Sequence, residues 1–165
     1  MPESGPGYRA VRVSRNRHWG HPEAIQVAQE IAAAPAKAGL PTLYIGDIGQ
    51  PRGGPLPFGH ASHQTGQDID VWFNLAPKPA LEPPAAREQI ATPSLVLAGP
   101  PPSVDPGAFT PRHVMLLRIA ATNPAVDRVL VNPAIKRHLC ETLTGDRAWL
   151  RLLRPWWGHD DHMHV

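Results

Sequence analysis

At 165 residues the chain has the length of one ordinary domain, enough to bury a core without disulfide staples. Charged residues make up 18 % and the formal charge is +2; with no long basic run among them, a nucleic-acid surface is excluded, while a mildly basic protein still meets anionic polymers readily. No apolar stretch reaches the length of a transmembrane segment or a signal peptide, and the start, Met1-Pro2-Glu3-Ser4-Gly5, is polar.

Residues 1–17 are polar and Arg-rich and read as an irregular lead-in. Pro22 suits the first turn of a helix, where its missing amide costs nothing, and Ile25, Ala28, Ile31 and Ala32 recur at helical spacing until Pro35 disturbs the end. Thr42-Leu43-Tyr44-Ile45 is β-branched and aromatic and predicts a strand, followed by a Gly/Pro-rich loop over 46–59. In residues 68–73 strict alternation puts Asp68, Asp70 and Trp72 on one face and Ile69, Val71 and Phe73 on the other.

The proline-rich stretch 76–110, with Pro100-Pro101-Pro102, predicts a long surface loop. A helix follows over 111–121, then a strand over 126–131, a helix over 133–143, a short helical segment over 149–153 and a terminal strand over 162–165. Strands and helices without regular βαβ alternation favour an α+β fold, with helices and long Pro/Gly-rich loops around a small central antiparallel sheet. Residues 1–165 are expected to form one domain.

Five of the nine histidines fall in two short segments that also carry aspartate: His60 and His63 ahead of Asp70, and His159, His162 and His164 around Asp160-Asp161. A lone histidine is more often a surface or satisfied core group, but this clustering favours a metal site. His63, Asp70 and His164 supply two imidazoles and a carboxylate, which leaves a fourth tetrahedral position for water, as in a catalytic zinc site. In an extended strand His162 and His164 face the same side, so His162 is placed to move a proton beside the metal. Asp68 either holds a neighbouring ligand or is a partly solvated edge residue. Trp156 and Trp157 either pack in the core or line a groove.

From His63 to Asp70 the chain resembles the His-x-x-Gly-x-x-x-Asp part of the first signature of the lysostaphin / D-Ala-D-Ala carboxypeptidase / sonic hedgehog-type zinc peptidases, and His162-Met163-His164 resembles their His-x-His signature. Within that group the chain is most similar to the penicillin-insensitive murein endopeptidases. Supporting stretches are Trp19-Gly20-His21-Pro22, Ile45-Gly46-Asp47-Ile48-Gly49, Gly59-His60-Ala61-Ser62-His63-Gln64-Thr65-Gly66, Val131-Asn132-Pro133-Ala134-Ile135-Lys136 and Arg154-Pro155-Trp156-Trp157, in the family's order.

The resemblance implies zinc held by His63, Asp70 and His164, with His162 as general base. His60 and His159 match auxiliary histidines that orient a ligand, contact substrate or stabilise the intermediate, unless they only pack locally. The implied substrate is cross-linked peptidoglycan, cut without penicillin sensitivity at the amide between D-alanine and meso-diaminopimelate, and the implied compartment is the periplasm. Two alternatives stand beside it: a D-Ala-D-Ala dipeptidase or carboxypeptidase of the same group, and a non-catalytic wall-binding module. Family members can carry disulfides whose second cysteine lies beyond the His-x-His strand, so Cys140 is either a thiol left without its partner or a small apolar residue on a helix.

Overall fold

The computed structural model describes residues 1–56 and 61–165. The elements run β1 (Ser4–Gly5), β2 (Tyr8–Ala10), α1 (Pro22–Lys37), β3 (Leu43–Ile45), β4 (Asp70–Trp72), α2 (Pro84–Arg87), β5 (Val96–Leu97), β6 (Ser103–Val104), α3 (Pro111–Thr122), β7 (Val129–Val131), α4 (Pro133–Thr142), β8 (Leu153–Pro155) and β9 (His162–His164). Each of the four α-helices among the described residues opens on proline in its first turn, where fixed φ suits the helix and no amide partner is lost. Helix α1 runs through Pro35 to Lys37; the proline falls in the last turn, where few intrahelical bonds remain to be broken.

The architecture is α+β, but its sheet is neither small nor purely antiparallel. Seven strands lie in the order β1-β2-β3-β4-β9-β7-β8. The pairs β2–β3 and β7–β8 are parallel, and the others are antiparallel. A parallel pair needs a long crossover, and α1 and α4 supply one for each flank. The lead-in contributes β1 and β2, and the segment expected to be helical at 149–153 is a 3₁₀ turn, Ala148–Leu152, that passes directly into β8. Part of the proline-rich stretch also departs from a surface loop: it forms the β5–β6 hairpin and buries Leu95 and Phe109.

Ile69, Val71 and Phe73 turn into the main core with Ile45, Val129, Val131 and Met163, against Ile31 of α1, Leu117 of α3 and Ile135 of α4. The predicted alternation therefore holds. Asp70 and Trp72 take the other face, where Trp72 forms a smaller apolar cluster with Val11 and Tyr44. Cys140, half-buried on α4, packs against the main core.

Candidate metal centre

The two central strands bring the separated clusters together. In the antiparallel pairing of β4 with β9, Asp70 lies opposite His164, Val71 opposite Met163 and Trp72 opposite His162. Since alternate residues share a face, fully buried Met163 locks β9 to the core and sends His162 and His164 to the face that carries Asp70. Reciprocal backbone bonds between Ile69 and Val165, both 2.9 Å, extend the same ladder.

His63 arrives from the loop before β4 with a left-handed backbone, φ 60°. That conformation is uncommon for a residue other than glycine and is found where surrounding contacts enforce it. Here the His63 amide donates to Oδ2 of Asp68 at 3.0 Å, and its Nδ1–H donates to the carbonyl of Ile48 at 2.9 Å. The second bond fixes the tautomer and turns Nε2 toward Asp70, whose Oδ1 is 3.1 Å away. On the other side His164 Nε2–H donates to Asp68 Oδ1 at 2.9 Å, and Nδ1 lies 3.2 Å from Asp70 Oδ1.

One donor atom from each of His63, Asp70 and His164 lies within 4.8 Å of the others, and all three residues are buried. With their other ring nitrogens committed to Ile48 and Asp68, His63 Nε2 and His164 Nδ1 both face the same oxygen of Asp70. Such a cluster is repulsive unless a cation sits among the three atoms, and two imidazole nitrogens with one carboxylate oxygen suit a zinc-type ion. Asp68 bridges the two, fixing the His164 imidazole through its ring and His63 through its backbone amide, while the Ile48 carbonyl fixes the His63 ring.

Electrostatics follow from this packing. Burial works to raise the Asp70 carboxyl, but hydrogen bonds from His164 and His63 outweigh it and hold the group well below the usual carboxylate range. Burial opposes protonation of His164, yet Asp68 and Asp70 raise it to about 9. In the absence of a metal, a proton therefore takes the place of the cation.

His162 Nε2 is 3.8 Å from Asp70 Oδ1, while its Nδ1–H donates to Asp161 Oδ1 at 2.6 Å. Burial lowers the affinity of this imidazole for a proton; the bond to Asp161 and the charge of Asp70 more than restore it. The ring of His159 lies 4.9 Å from that of His162 and 5.8 Å from that of His164. Its backbone is also left-handed, φ 53°, and is held by Asn132, whose amide donates to the His159 carbonyl at 3.0 Å and whose Nδ2 donates to the Gly158 carbonyl at 2.9 Å. The same Asn132 caps α4 through Oδ1. His60 lies outside the described residues. Trp156 and Trp157 are 56 % and 80 % exposed, so they do not belong to the core.

Asp161 and Asn132 were not among the site residues read from sequence. The run His159-Asp160-Asp161-His162 carried a signal for the first, an acid beside a histidine in a cluster; for Asn132 the signal was an N-cap residue before Pro133, which speaks of a helix and not of a site.

The sequence model of the penicillin-insensitive murein endopeptidases matches residues 1–165. Curated relatives bearing that name include proteins from Haemophilus influenzae, 41 % identical, Klebsiella pneumoniae, 39 % identical, and Escherichia coli, 36 % identical, each aligned over the whole of this chain. The chain spans 57–59 % of the length of these relatives. A match over every residue, joined to the convergence of His63, Asp70 and His164 that its two signatures imply, leads to one assignment: the chain belongs to the penicillin-insensitive murein endopeptidase family.

Proposed function

We propose that residues 1–165 form a single zinc peptidase domain that hydrolyses D-alanyl–meso-diaminopimelyl cross-links of peptidoglycan, without sensitivity to penicillin, in the periplasm. The observation that carries this reading is the convergence of His63, Asp70 and His164 donor atoms within 4.8 Å beside His162. Zinc, when bound, acts as a Lewis acid that acidifies water and polarises a carbonyl.

The chain's own residues do the rest. His63 Nε2, Asp70 Oδ1 and His164 Nδ1 would hold the ion, the Ile48 carbonyl keeping the His63 imidazole aimed at it and Asp68 the His164 imidazole. His162 accepts the proton of the attacking water at Nε2 and returns it to the departing amine, because an imidazole titrates near neutrality. Asp161 keeps the His162 proton on Nδ1 and stabilises the imidazolium that forms. His159, tilted against the His162 ring and edge-on to that of His164, is positioned to contact the substrate or the charge that develops on its carbonyl. The relatives' names speak for murein as substrate.

Nothing in this chemistry uses a serine nucleophile that a β-lactam could acylate. The pairing of His162 with Asp161 also favours hydrolysis over wall binding, since a passive module has no use for a base held by its own carboxylate. Incubation of zinc-loaded protein with purified muropeptide dimers, tetrapeptides ending in D-Ala-D-Ala and intact sacculi separates the three readings: monomers from dimers support the endopeptidase, release of terminal D-alanine supports the carboxypeptidase, and binding without products supports the wall module.

A further inference from the structure

Next to the metal centre lies a cavity of about 100 Å³, lined by Arg12, Arg15, Trp72 and Thr92 together with Asp47, Asp70, Asp161 and His162. By the share of about 30 Å³ that one water takes in the liquid, this is room for roughly three waters, or for one carboxylate with its carbon. Two of its polar side chains bear on what it could hold: half-buried Arg12, which feels Asp47, Asp161 and Glu88 only at longer range, and Thr92. The Arg12 guanidinium carbon lies over the Trp72 ring, 4.7 Å from its centroid, and the group makes no hydrogen bond or ion pair among the described residues. The Thr92 hydroxyl is buried and also without a hydrogen-bond partner among them, a state that costs free energy unless something else satisfies it.

The neighbouring charges are already committed. Arg17 lies 2.9 Å and Arg15 3.7 Å from Asp47, and Asp161 is engaged by His162. Arg12 itself is fixed in place. Its backbone is left-handed, φ 54°, its amide donates to the Arg87 carbonyl at 3.2 Å, and Ser14 two residues on is bonded to Glu88 through both its amide and its hydroxyl. A strained backbone held by several outside contacts is a feature of ligand clamps. A guanidinium over an aromatic face still has N–H donors to offer, and its planar fork is suited to carboxylates.

We propose that this cavity is the subsite for a free carboxylate next to the scissile amide, with Arg12 as its ion-pair partner and the Thr92 hydroxyl as a second donor. The inference rests on the peptidase reading above. In a D-alanyl–diaminopimelyl cross-link the carbon attached to the scissile nitrogen also bears a carboxylate, so a cut at the metal brings that group beside His162. Arg12 is thus a specificity residue: it selects amides whose amine half carries a negative charge.

The test uses two cross-linked muropeptide dimers, one with that carboxylate free and one with it converted to the primary amide. Binding of both is measured by calorimetry on zinc-loaded His162→Ala protein, with and without Arg12→Gln, and hydrolysis of both is followed with the wild-type chain. Arg12→Gln is expected to weaken binding of the free-carboxylate dimer by roughly ten- to hundredfold, as for loss of a charge-assisted hydrogen bond, and to leave the amidated dimer unchanged. Arg12→Lys should recover part of the loss. Because Arg12 also covers Trp72, Thr92→Val provides a second probe, with a smaller loss confined to the same dimer. Equal losses on both dimers, or none on either, overturn the proposal. Hydrolysis of both dimers with Arg12-independent binding would refute the subsite and leave the peptidase reading intact; Arg12-dependent discrimination without any hydrolysis would do the reverse.

Discussion

Asp70 and His164 stand directly opposite one another across the β4–β9 pair, with His164 Nδ1 3.2 Å from Asp70 Oδ1. Strand pairing, not loop conformation, thus fixes two of the three donors, while His63 is drawn in by its bonds to Ile48 and Asp68. A site built this way depends on the residue that orients it. Asp68→Ala keeps all three donors but frees His164 Nε2 and the His63 amide, and zinc affinity is expected to fall about 10- to 100-fold, the usual effect of losing such a partner. Competition against a chromogenic chelator measures it. Unchanged affinity would reduce Asp68 to a surface acid.

The proposed role of His162 separates proton transfer from metal binding. His162→Ala is expected to retain one equivalent of zinc and to lose about 10²- to 10⁴-fold in turnover. Metal analysis and hydrolysis rates on the same sample decide the matter, and loss of metal would make this residue a ligand.

Protons and metal compete for the same place. His164 is raised from 6.5 to about 9, so in metal-stripped protein its contribution to stability is complete below pH 6.5 and is lost as pH rises through about 9. Asp68 and Asp70 are lowered from 3.8, so their contribution is complete above that value and is lost as pH falls through their folded-state pKa values. Thermal melts of the metal-stripped chain should therefore be highest between about pH 4 and 6.5 and decline toward pH 9, as far as these groups govern stability. Zinc affinity should move oppositely, rising by up to about tenfold per pH unit until His164 is deprotonated. A flat affinity profile from pH 6 to 8 would contradict the shared site.

Gly46 couples the neighbouring strand to the site. A Cβ there would lie 2.9 Å from Trp72 Nε1 and 3.1 Å from Asp70 Cβ, contacts that require β4 or the Trp72 ring to shift. Gly46→Ala is expected to cost about 1–3 kcal/mol of stability, as for other overpacked sites, and to weaken zinc binding with it. Denaturant titration with parallel metal analysis tests this; a fully stable variant with normal zinc content would show that the sheet yields here at no cost.

The site was more legible in the sequence than the sheet around it. His63, Asp70, His162 and His164 are rare residue types at spacings with a geometric meaning, and the alternation of Ile69, Val71 and Phe73 against Asp70 and Trp72 named the core face of β4 correctly. The parallel flanks were hidden because β2 and β3, like β7 and β8, are separated by helices, and no local pattern reports which edge a strand joins. β8 was hidden for a different reason: Trp149, Leu150 and Leu153 form a short apolar run in which a helical turn and a strand look alike. Arg12 and Thr92 gave no signal at all, since the fold alone brings them to the same cavity as His162.

The His63, Asp70 and His164 centre is proposed to cut peptidoglycan cross-links with a metal and without a serine. Its most direct test is digestion of purified cross-linked muropeptide dimers by the zinc-loaded chain, alone, with penicillin and with a chelator, and separation of the products by mass. The expected result is release of monomers that penicillin leaves unchanged and the chelator abolishes, with activity restored by added zinc. Monomer release that survives the chelator but stops with penicillin would contradict the account.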